Sequence, residues 1–310
     1  MSYESLNVPA RISRTKETLR EHRLAYLFVL PTAVYLVFLW WIPFLWGIRL
    51  SFFSYPFFGE SQFVGLDNYR YILNWDVFYT SVRATLLYAL QTIPQLILGV
   101  GVALVVWDLD RFDAVTSWAA LAPYVFPPLI IGTLWKFLLD PNSGPIFGYL
   151  MEFGILQQPI YWTSDGSLAL ATITFVGTWT FWPLVFLLTI ASLRGIPSSH
   201  IEVAKVYGAS RIQRFRKIIF PQIQTALIIA IILRVIWNLG KIEQPLQITR
   251  GGPGWDTSVL GIVLYRLAWN RLEMGLSFTV GIFLAMLSFI IVIGLIVLFE
   301  RRASGVSFRG

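Results

Sequence analysis

The sequence predicts an all-α membrane protein of about six transmembrane helices, with both termini on the cytoplasmic side. Three observations lead there. The 310 residues are 56% hydrophobic and only 13% charged, and the mean hydropathy of +0.66 lies well outside the range of soluble domains. The apolar residues come in runs of about 20 or more, the length that the hydrocarbon core demands of a helix; no water is present there to satisfy backbone groups otherwise. Lys and Arg concentrate in three stretches that fall on one side if the spans number six.

The spans are expected at Leu24–Leu50, Ala84–Trp107, Val115–Leu139, Leu168–Leu193, Gln222–Ile248 and Gly275–Phe299. Pro31, Pro43, Pro94, Pro127, Pro128 and Pro183 fall inside them, so kinks are expected where neighbours must satisfy the freed backbone groups. The chain then divides into a cytoplasmic segment 1–23, a membrane domain 24–299 with a cytoplasmic loop at 194–221, and a cytoplasmic tail 300–310. The first apolar run is too long for a cleaved signal peptide and lacks a small-residue cleavage site, so it is expected to remain as a span.

Basic residues set the orientation. The N-terminal segment carries Arg11, Arg14, Lys16, Arg20 and Arg23. The loop carries Arg194, Lys205, Arg211, Arg214, Arg216 and Lys217, and the tail carries Arg301, Arg302 and Arg309. The segment Asp140–Ser167, on the opposite side, has neither Lys nor Arg. The net charge of +7 therefore reflects sidedness, and no basic face on a soluble domain argues for nucleic acid. The absence of cysteine excludes disulfides, iron–sulfur clusters and thiolate metal sites. His22 and His200 stand apart without ligand-like partners, so no metal is expected. A catalytic constellation is also missing, and the glycines at 251–254 lack the Lys and Ser/Thr of a phosphate-binding loop. The chain is expected to be no enzyme and to hold no cofactor.

The loop between the fourth and fifth spans reads as two short helices. Ser199-His200-Ile201-Glu202 has the spacing of a capping box, Gly208 can adopt the left-handed conformation that ends a helix, and Ser210 can cap a second helix that Pro221 stops or kinks. Glu202 has an alternative role, pairing with a nearby Arg to hold the loop. Ile212, Phe215 and Ile219 recur at helical spacing among the arginines. Such a loop can lie on anionic headgroups. The small residues Val203, Ala204, Gly208 and Ala209 instead permit close approach of another protein.

The stretch Glu202-Val203-Ala204, then Gly208-Ala209-Ser210, Phe215, Ile218 and Phe220-Pro221 resembles the EAA loop of permease subunits in binding-protein-dependent ABC importers. Val203 stands where the family usually has Ala, and Tyr207 where an acidic residue is common. Phe63-Val64-Gly65-Leu66-Asp67-Asn68-Tyr69 resembles the F-x-G-L-x-N-Y segment of maltose-type and glycerol-phosphate-type sugar permeases, and Thr249-Arg250-Gly251-Gly252-Pro253, with Thr257 and Tyr265, resembles their T-x-G-G-P segment. Pro123 through Trp135 to Gly144 is similar to their third span and its exit. The stretch from Arg23 to Pro31 resembles the first permease of a two-permease pair.

The resemblance implies a type I ABC importer permease in the inner membrane of a prokaryote, forming the path for a carbohydrate, polyol or glycerol-phosphate. Implied partners are a cytoplasmic ATPase dimer that carries ATP and Mg, a second homologous permease, and an external solute-binding protein. The ATPase-coupling residues would be Ser199, Glu202, Ala204, Gly208, Ala209, Ser210, Phe215 and Pro221. Polar groups are expensive inside a membrane and mark candidate substrate-path residues. Arg234, Asn238, Lys241, Glu243 and Gln244 are the main cluster, with Trp237 as a stacking group; for Lys241 and Glu243 a structural ion pair between spans is the competing reading. A non-transporting scaffold or receptor subunit stays open as an alternative. An ion-coupled secondary transporter would need mid-span carboxylates, which the second, third, fourth and sixth spans lack.

Overall fold

The computed structural model describes residues 22–55, 59–108 and 114–307, so the basic residues at 11–20 and Arg309 lie outside the described residues. Helix α1, Arg23–Leu50, is exposed to its surroundings over nearly its whole length, as an apolar helix in lipid can be. It ends in a two-strand clip, β1 (Phe53–Ser54) paired antiparallel with β2 (Gln62–Phe63), followed by the short helix α2, Asp67–Leu73. Here the F-x-G-L-x-N-Y segment has a visible purpose. Gly65 turns the chain at φ 55°, Asn68 Nδ2 donates to the carbonyls of Ser51 and Phe53 at 2.8 and 2.9 Å, and Tyr69 Oη lies 2.6 Å from Ser51 Oγ. Together these groups satisfy carbonyls left open where α1 stops.

Helix α3, Asp76–Asp108, is the second span, with a break in helical regularity at Leu90–Gln91. It begins a full two turns before the expected Ala84. It runs against α7, Gly166–Arg194, the most deeply buried helix of the bundle. The contact is close because of glycine: a Cβ at Gly99 would come within 2.5 Å of Val185 Cβ and 2.9 Å of the Phe186 nitrogen. Small residues that let backbones approach are the usual substitute for a hydrophobic driving force in lipid.

The expected third span is not one straight helix. Helix α4, Ala114–Val125, and helix α5, Pro128–Leu138, meet at 96°. Pro127 and Pro128 account for the corner, since neither offers an N–H to continue the ladder and each restricts the residue before it. After α5 the chain turns through Asp140, whose carboxylate accepts from the Asn142 and Ser143 amides, both at 2.9 Å. Those two amides hold the Asp140 carboxyl below its ordinary range. Helix α6, Pro145–Glu152, and the approach to α7 follow, where Trp162 Nε1 donates to the Leu139 carbonyl at 2.6 Å.

Helix α8, Ser198–Val206, occupies the loop, and helix α9, Arg211–Leu239, is the fifth span. Pro221 was expected to stop or kink the second loop helix. Instead that helix and the span are one, because the turn Phe215–Ile219 widens to π-helical geometry immediately before the proline. The same arrangement precedes Pro43, after a π-helical turn at Val37–Trp41. A wider turn moves the preceding carbonyls away from the pyrrolidine ring, so the helix continues without the missing hydrogen bond. At its far end α9 stops at Leu239 rather than reaching Ile248. Lys241, Glu243 and Gln244 therefore lie beyond the span, in a turn and in helix α10, Glu243–Thr249. Helix α10 packs on α5, where Gly132 admits Gln247 and the Gln247 amide donates to Thr133 Oγ1 at 2.9 Å.

The T-x-G-G-P segment then reverses the chain. Arg250, Gly251 and Gly254 all have positive φ, and Thr257 Oγ1 sits 2.7 Å from both Thr249 Oγ1 and the Gly252 carbonyl, tying the two ends of the loop together. Helix α11, Leu260–Tyr265, follows with four consecutive buried residues, 260–263, and helix α12, Met274–Ser307, is the last span. The core has three parts. One lies under α10 and the Trp162 approach, one lies between α3, α7 and the start of α9 near the loop, and one lies among α2, α3, α11 and α12.

Replacing Gly99 by Ala should cost about 1–3 kcal/mol, because Val185 and the α7 backbone leave no space for a methyl group. Gly101, one turn-face away with nothing within 4 Å of its Cβ position, should accept the same change. Thermal unfolding of both variants in detergent checks the difference.

Candidate functional sites: the basic loop and the intramembrane polar cluster

Two regions gather the residues singled out from the sequence. In the loop, α8 starts after Pro197, and its first turn has no side-chain cap. Ser199 is inside that turn rather than before it, so the capping box expected from Ser199 and Glu202 does not form. Pro197 supplies the entry instead, its fixed φ of −59° leading into the helix and its carbonyl accepting from the His200 amide at 3.1 Å. Glu202 makes no ion pair among the described residues. It borders a cavity of about 640 Å³ together with Asp108, Lys205, Arg211 and Arg214.

The end of α8 follows the sequence closely. Gly208 takes φ 73°, the Ala209 amide donates to the Ala204 carbonyl, and the Gly208 amide donates to the Lys205 carbonyl, both at 2.9 Å. These are the paired bonds of a Schellman termination, which a side chain at position 208 would strain. Ser210 caps α9 as expected, and the sequence reading missed its reciprocal partner. Gln213 N donates to Ser210 Oγ at 3.3 Å while Gln213 Oε1 accepts from Ser210 N at 2.8 Å. The Ser-x-x-Gln spacing was the available signal. Ala204 is buried, and Phe215 packs with Ile201, Ile219 and Ile223 against the end of α7. Val206 and Tyr207, by contrast, are each 86% exposed. The loop is thus clamped at both ends of the α8–α9 turn and presents apolar side chains outward between them.

The second region lies where α3, α7 and α9 meet. Arg234 is only 2% exposed. Its Nε donates to Gln95 Oε1 at 2.9 Å and its Nη2 to Asn238 Oδ1 at 2.6 Å. Asn238 Nδ2 in turn donates to Thr92 Oγ1 at 2.8 Å, and Gln95 Nε2 reaches the Gly177 carbonyl at 3.1 Å. The guanidinium also lies 4.8 Å from the Phe181 ring centre. Arg234 and Asn238, one turn apart on α9, therefore face into the bundle and lock it to α3 and α7. Gln244 is also buried and donates to Thr180 Oγ1 at 2.9 Å. Gln91 is fully buried beside Gly177 and the Tyr88 hydroxyl, and neither of its amide atoms makes a hydrogen bond of regular geometry.

The remaining members separate from these. Trp237, one turn along α9 from Arg234 with its ring centre 5.9 Å from the guanidinium, is 43% exposed. Lys241 and Glu243 form a 3.7 Å ion pair, but with each other two residues apart, so the pair does not tie spans together as the structural reading had it. Lys241 also sits 4.5 Å from the Phe181 ring, placing that ring against two cations. The six candidates thus divide into three buried groups, Arg234, Asn238 and Gln244, and three partly exposed ones, Trp237, Lys241 and Glu243, that adjoin them. Thr92, Gln95 and Phe181 are the partners the sequence reading missed; for Thr92 and Gln95 the available signal was a polar residue inside the expected second span, and nothing in the local pattern signalled Phe181.

Changing Asn238 to Leu should destabilise the protein by about 3 kcal/mol, since it strips a buried charge of one hydrogen bond. Adding Arg234→Met should restore part of that loss. Melting temperatures of the two single variants and the double variant form the cycle that checks it.

Ser210→Ala should raise amide exchange at residues 211–213 about fivefold, the effect of losing roughly 1 kcal/mol of capping. Hydrogen exchange read by mass spectrometry measures this directly.

Comparison with known proteins agrees with these features. The family described as binding-protein-dependent transport system inner membrane component matches residues 30–305. The probable ABC transporter permease YurN of Bacillus subtilis is 30% identical over 254 residues, covering 81% of this chain and 87% of that protein. The trehalose/maltose transport system permease MalF of Thermococcus litoralis is 29% identical over 285 residues, covering 91% and 94%. Among solved structures, a chain of a bacterial ABC transporter that imports the acidic polysaccharide alginate superposes with a TM-score of 0.77 at 17% identity, covering 93% of this chain and 99% of that one. The chain is a member of the binding-protein-dependent transport system inner membrane components, the permease subunits of ABC importers.

Proposed function

We propose that this chain forms half of the translocation path of an ABC importer for a carbohydrate or related polyol, and that α8 is the lever on which a cytoplasmic ATPase acts. The observation that carries the coupling role is mechanical. Helix α8 is fixed to α9 by the Schellman termination and the Ser210–Gln213 capping box, and α9 then runs as one helix to Leu239. At 1.5 Å per residue, Ser210 and Arg234 are about 36 Å apart along it. A force on α8 therefore reaches the Arg234 cluster without passing through a flexible joint. ATP binding would close the ATPase dimer, carry α8 with it and rock the spans between inward-open and outward-open; hydrolysis and product release would reset them.

The exposed apolar pair Val206 and Tyr207 fits an ATPase groove. In this reading Trp237, Lys241 and Glu243 line the solute path, while Arg234, Asn238 and Gln244 hold the helices that carry them. The names of several relatives support a carbohydrate solute, trehalose and maltose for one and sulfoquinovosyl glycerol for another. A second homologous permease and an external solute-binding protein complete the assembly, in a prokaryotic inner membrane with both termini inside.

The competing reading lays the loop on anionic headgroups, where Lys205, Arg211 and Arg214 would favour it. Purification of the tagged chain from its own membranes in mild detergent, with mass spectrometry of what accompanies it, separates the two. The wild type should bring down an ATPase and a second permease, and the pair Val206→Asp and Tyr207→Asp should deplete the ATPase at least about tenfold while retaining the permease. Isolation of the wild-type chain alone under several gentle conditions would return the loop to the lipid surface.

A further inference from the structure

At the end of the bundle opposite the loop, the start of α7 and the first turns of α3 enclose a cavity of about 550 Å³ that belongs to neither region described above. Its size lies within the range of small-molecule sites. Arg83 and Thr80 on α3 face Asp165, Ser167 and Thr174 at the start of α7, with Asp256 contributed by the loop before α11. Leu87, Leu170, Ala84 and Ala171 form an apolar wall between them.

The charges of this cavity are not paired off against one another. Asp165 caps α7, its Oδ1 accepting from the Leu168 amide at 2.8 Å. The Asp256 carboxylate lies against Gly166, in space that any Cβ there would occupy, so it too sits at the positive end of α7. Arg83 forms no ion pair among the described residues. Thr174 Oγ1 donates to the Leu170 carbonyl at 2.7 Å, which spends its proton and leaves its oxygen able to accept.

The lining thus offers donors from Arg83, acceptors from two carboxylates and a threonine, and an apolar wall. A hydroxyl both donates and accepts, and the carbon face of a sugar ring or polyol is apolar, so one ligand chemistry answers all three features. Two carboxylates against one guanidinium give the cavity a net negative charge, which disfavours an acidic ligand.

We propose that this cavity is a binding site for a neutral, polyhydroxylated solute on the outer side of the membrane, distinct from the Trp237 face of α9. Its placement on the outer side rests on the permease reading above. Further along α3 the next polar side chains are Tyr88 and Gln91, both fully buried beside Gly177, so polar groups continue from the cavity along the α3–α7 seam toward the polar cluster.

The test uses the complete importer in lipid nanodiscs, prepared without maltoside detergents because their head groups would compete. Saturation-transfer NMR is recorded with maltotriose as the neutral probe and trigalacturonate as the acidic one. Maltotriose should give a saturable signal that weakens at least about tenfold in Ala171→Trp, which fills the cavity from an exposed wall position. Trigalacturonate should bind more weakly than maltotriose, and Asp256→Asn should narrow that gap. A maltotriose signal unchanged in Ala171→Trp, tighter binding of trigalacturonate, or no transfer to either sugar would overturn the proposal. Co-purification of the ATPase is scored on the same samples, so failure of the cavity and failure of the permease reading give different results.

Discussion

A buried guanidinium with no carboxylate beside it is the constraint around which this membrane domain is arranged. Taking an ion out of water costs several kcal/mol even after relaxation, and lipid offers Arg234 nothing in return. The chain supplies two hydrogen bonds from neutral amides and the face of Phe181. Hydrogen bonds to a charged group contribute about 1.5–3 kcal/mol each, and a desolvated cation–π contact about 2. These offset the cost only if all three partners hold position. Gln95 must therefore come from α3, Phe181 from α7 and Asn238 from α9, and the relative placement of three spans is fixed by one side chain. Hydrophobic packing could not do this, since lipid tails are as apolar as the helices they surround.

The same shortage of water explains how the chain handles its prolines. In a soluble protein a carbonyl freed by proline turns to solvent. Here the helices α1 and α9 each widen to a π-helical turn just before Pro43 and Pro221 and continue. Where two prolines stand together, at 127 and 128, widening does not suffice and the helix direction changes by 96°. The corner leaves Gly132 facing Gln247, and the short helix α10 fills the angle that a straight third span would have closed. The fold's departures from six straight helices thus have identifiable causes in proline number and spacing.

What the sequence made legible follows from the range of each interaction. Span number and approximate position depend on local hydropathy, and the Gly208 termination and Ser210 cap depend on residues within one turn. All of these were readable. The Ser199 cap was misassigned because Ser199 and Glu202 have the spacing of a capping box, while Pro197 starts the helix two residues earlier and leaves Ser199 inside its first turn. The end of α9 was misplaced because the apolar residues Ile242, Leu246 and Ile248 continue among polar ones past Gly240, where the helix stops. Arg234 and Asn238 stood out as polar residues in an apolar run. Their partners Gln95 and Thr92 lie 139 and 146 residues away, and no local pattern connects them. The cavity at the end of the bundle opposite the loop is of the same kind, since Arg83, Asp165 and Asp256 acquire a shared environment only when α3 and α7 are packed.

The proposed coupling role asks more of α9 than length. A lever must transmit displacement without bending, yet α9 contains a π-helical turn and a proline within its first eleven residues. Those irregularities lie where Phe215 and Ile219 are packed against Ile190, Leu193 and Ile223, in the core beside the loop. Packing on that side restrains the turn, so the irregular segment moves with the helices that bury it rather than flexing alone. Beyond it, α9 is regular up to the Arg234 lock. The two ends of the helix are therefore held by different means, backbone capping and side-chain packing near the loop and a hydrogen-bonded charge at the far end. Motion at α8 can be relieved only by moving α9 as a body or by breaking the buried bonds of Arg234. The second is expensive in lipid, which makes rigid-body movement of α9 the path of least cost.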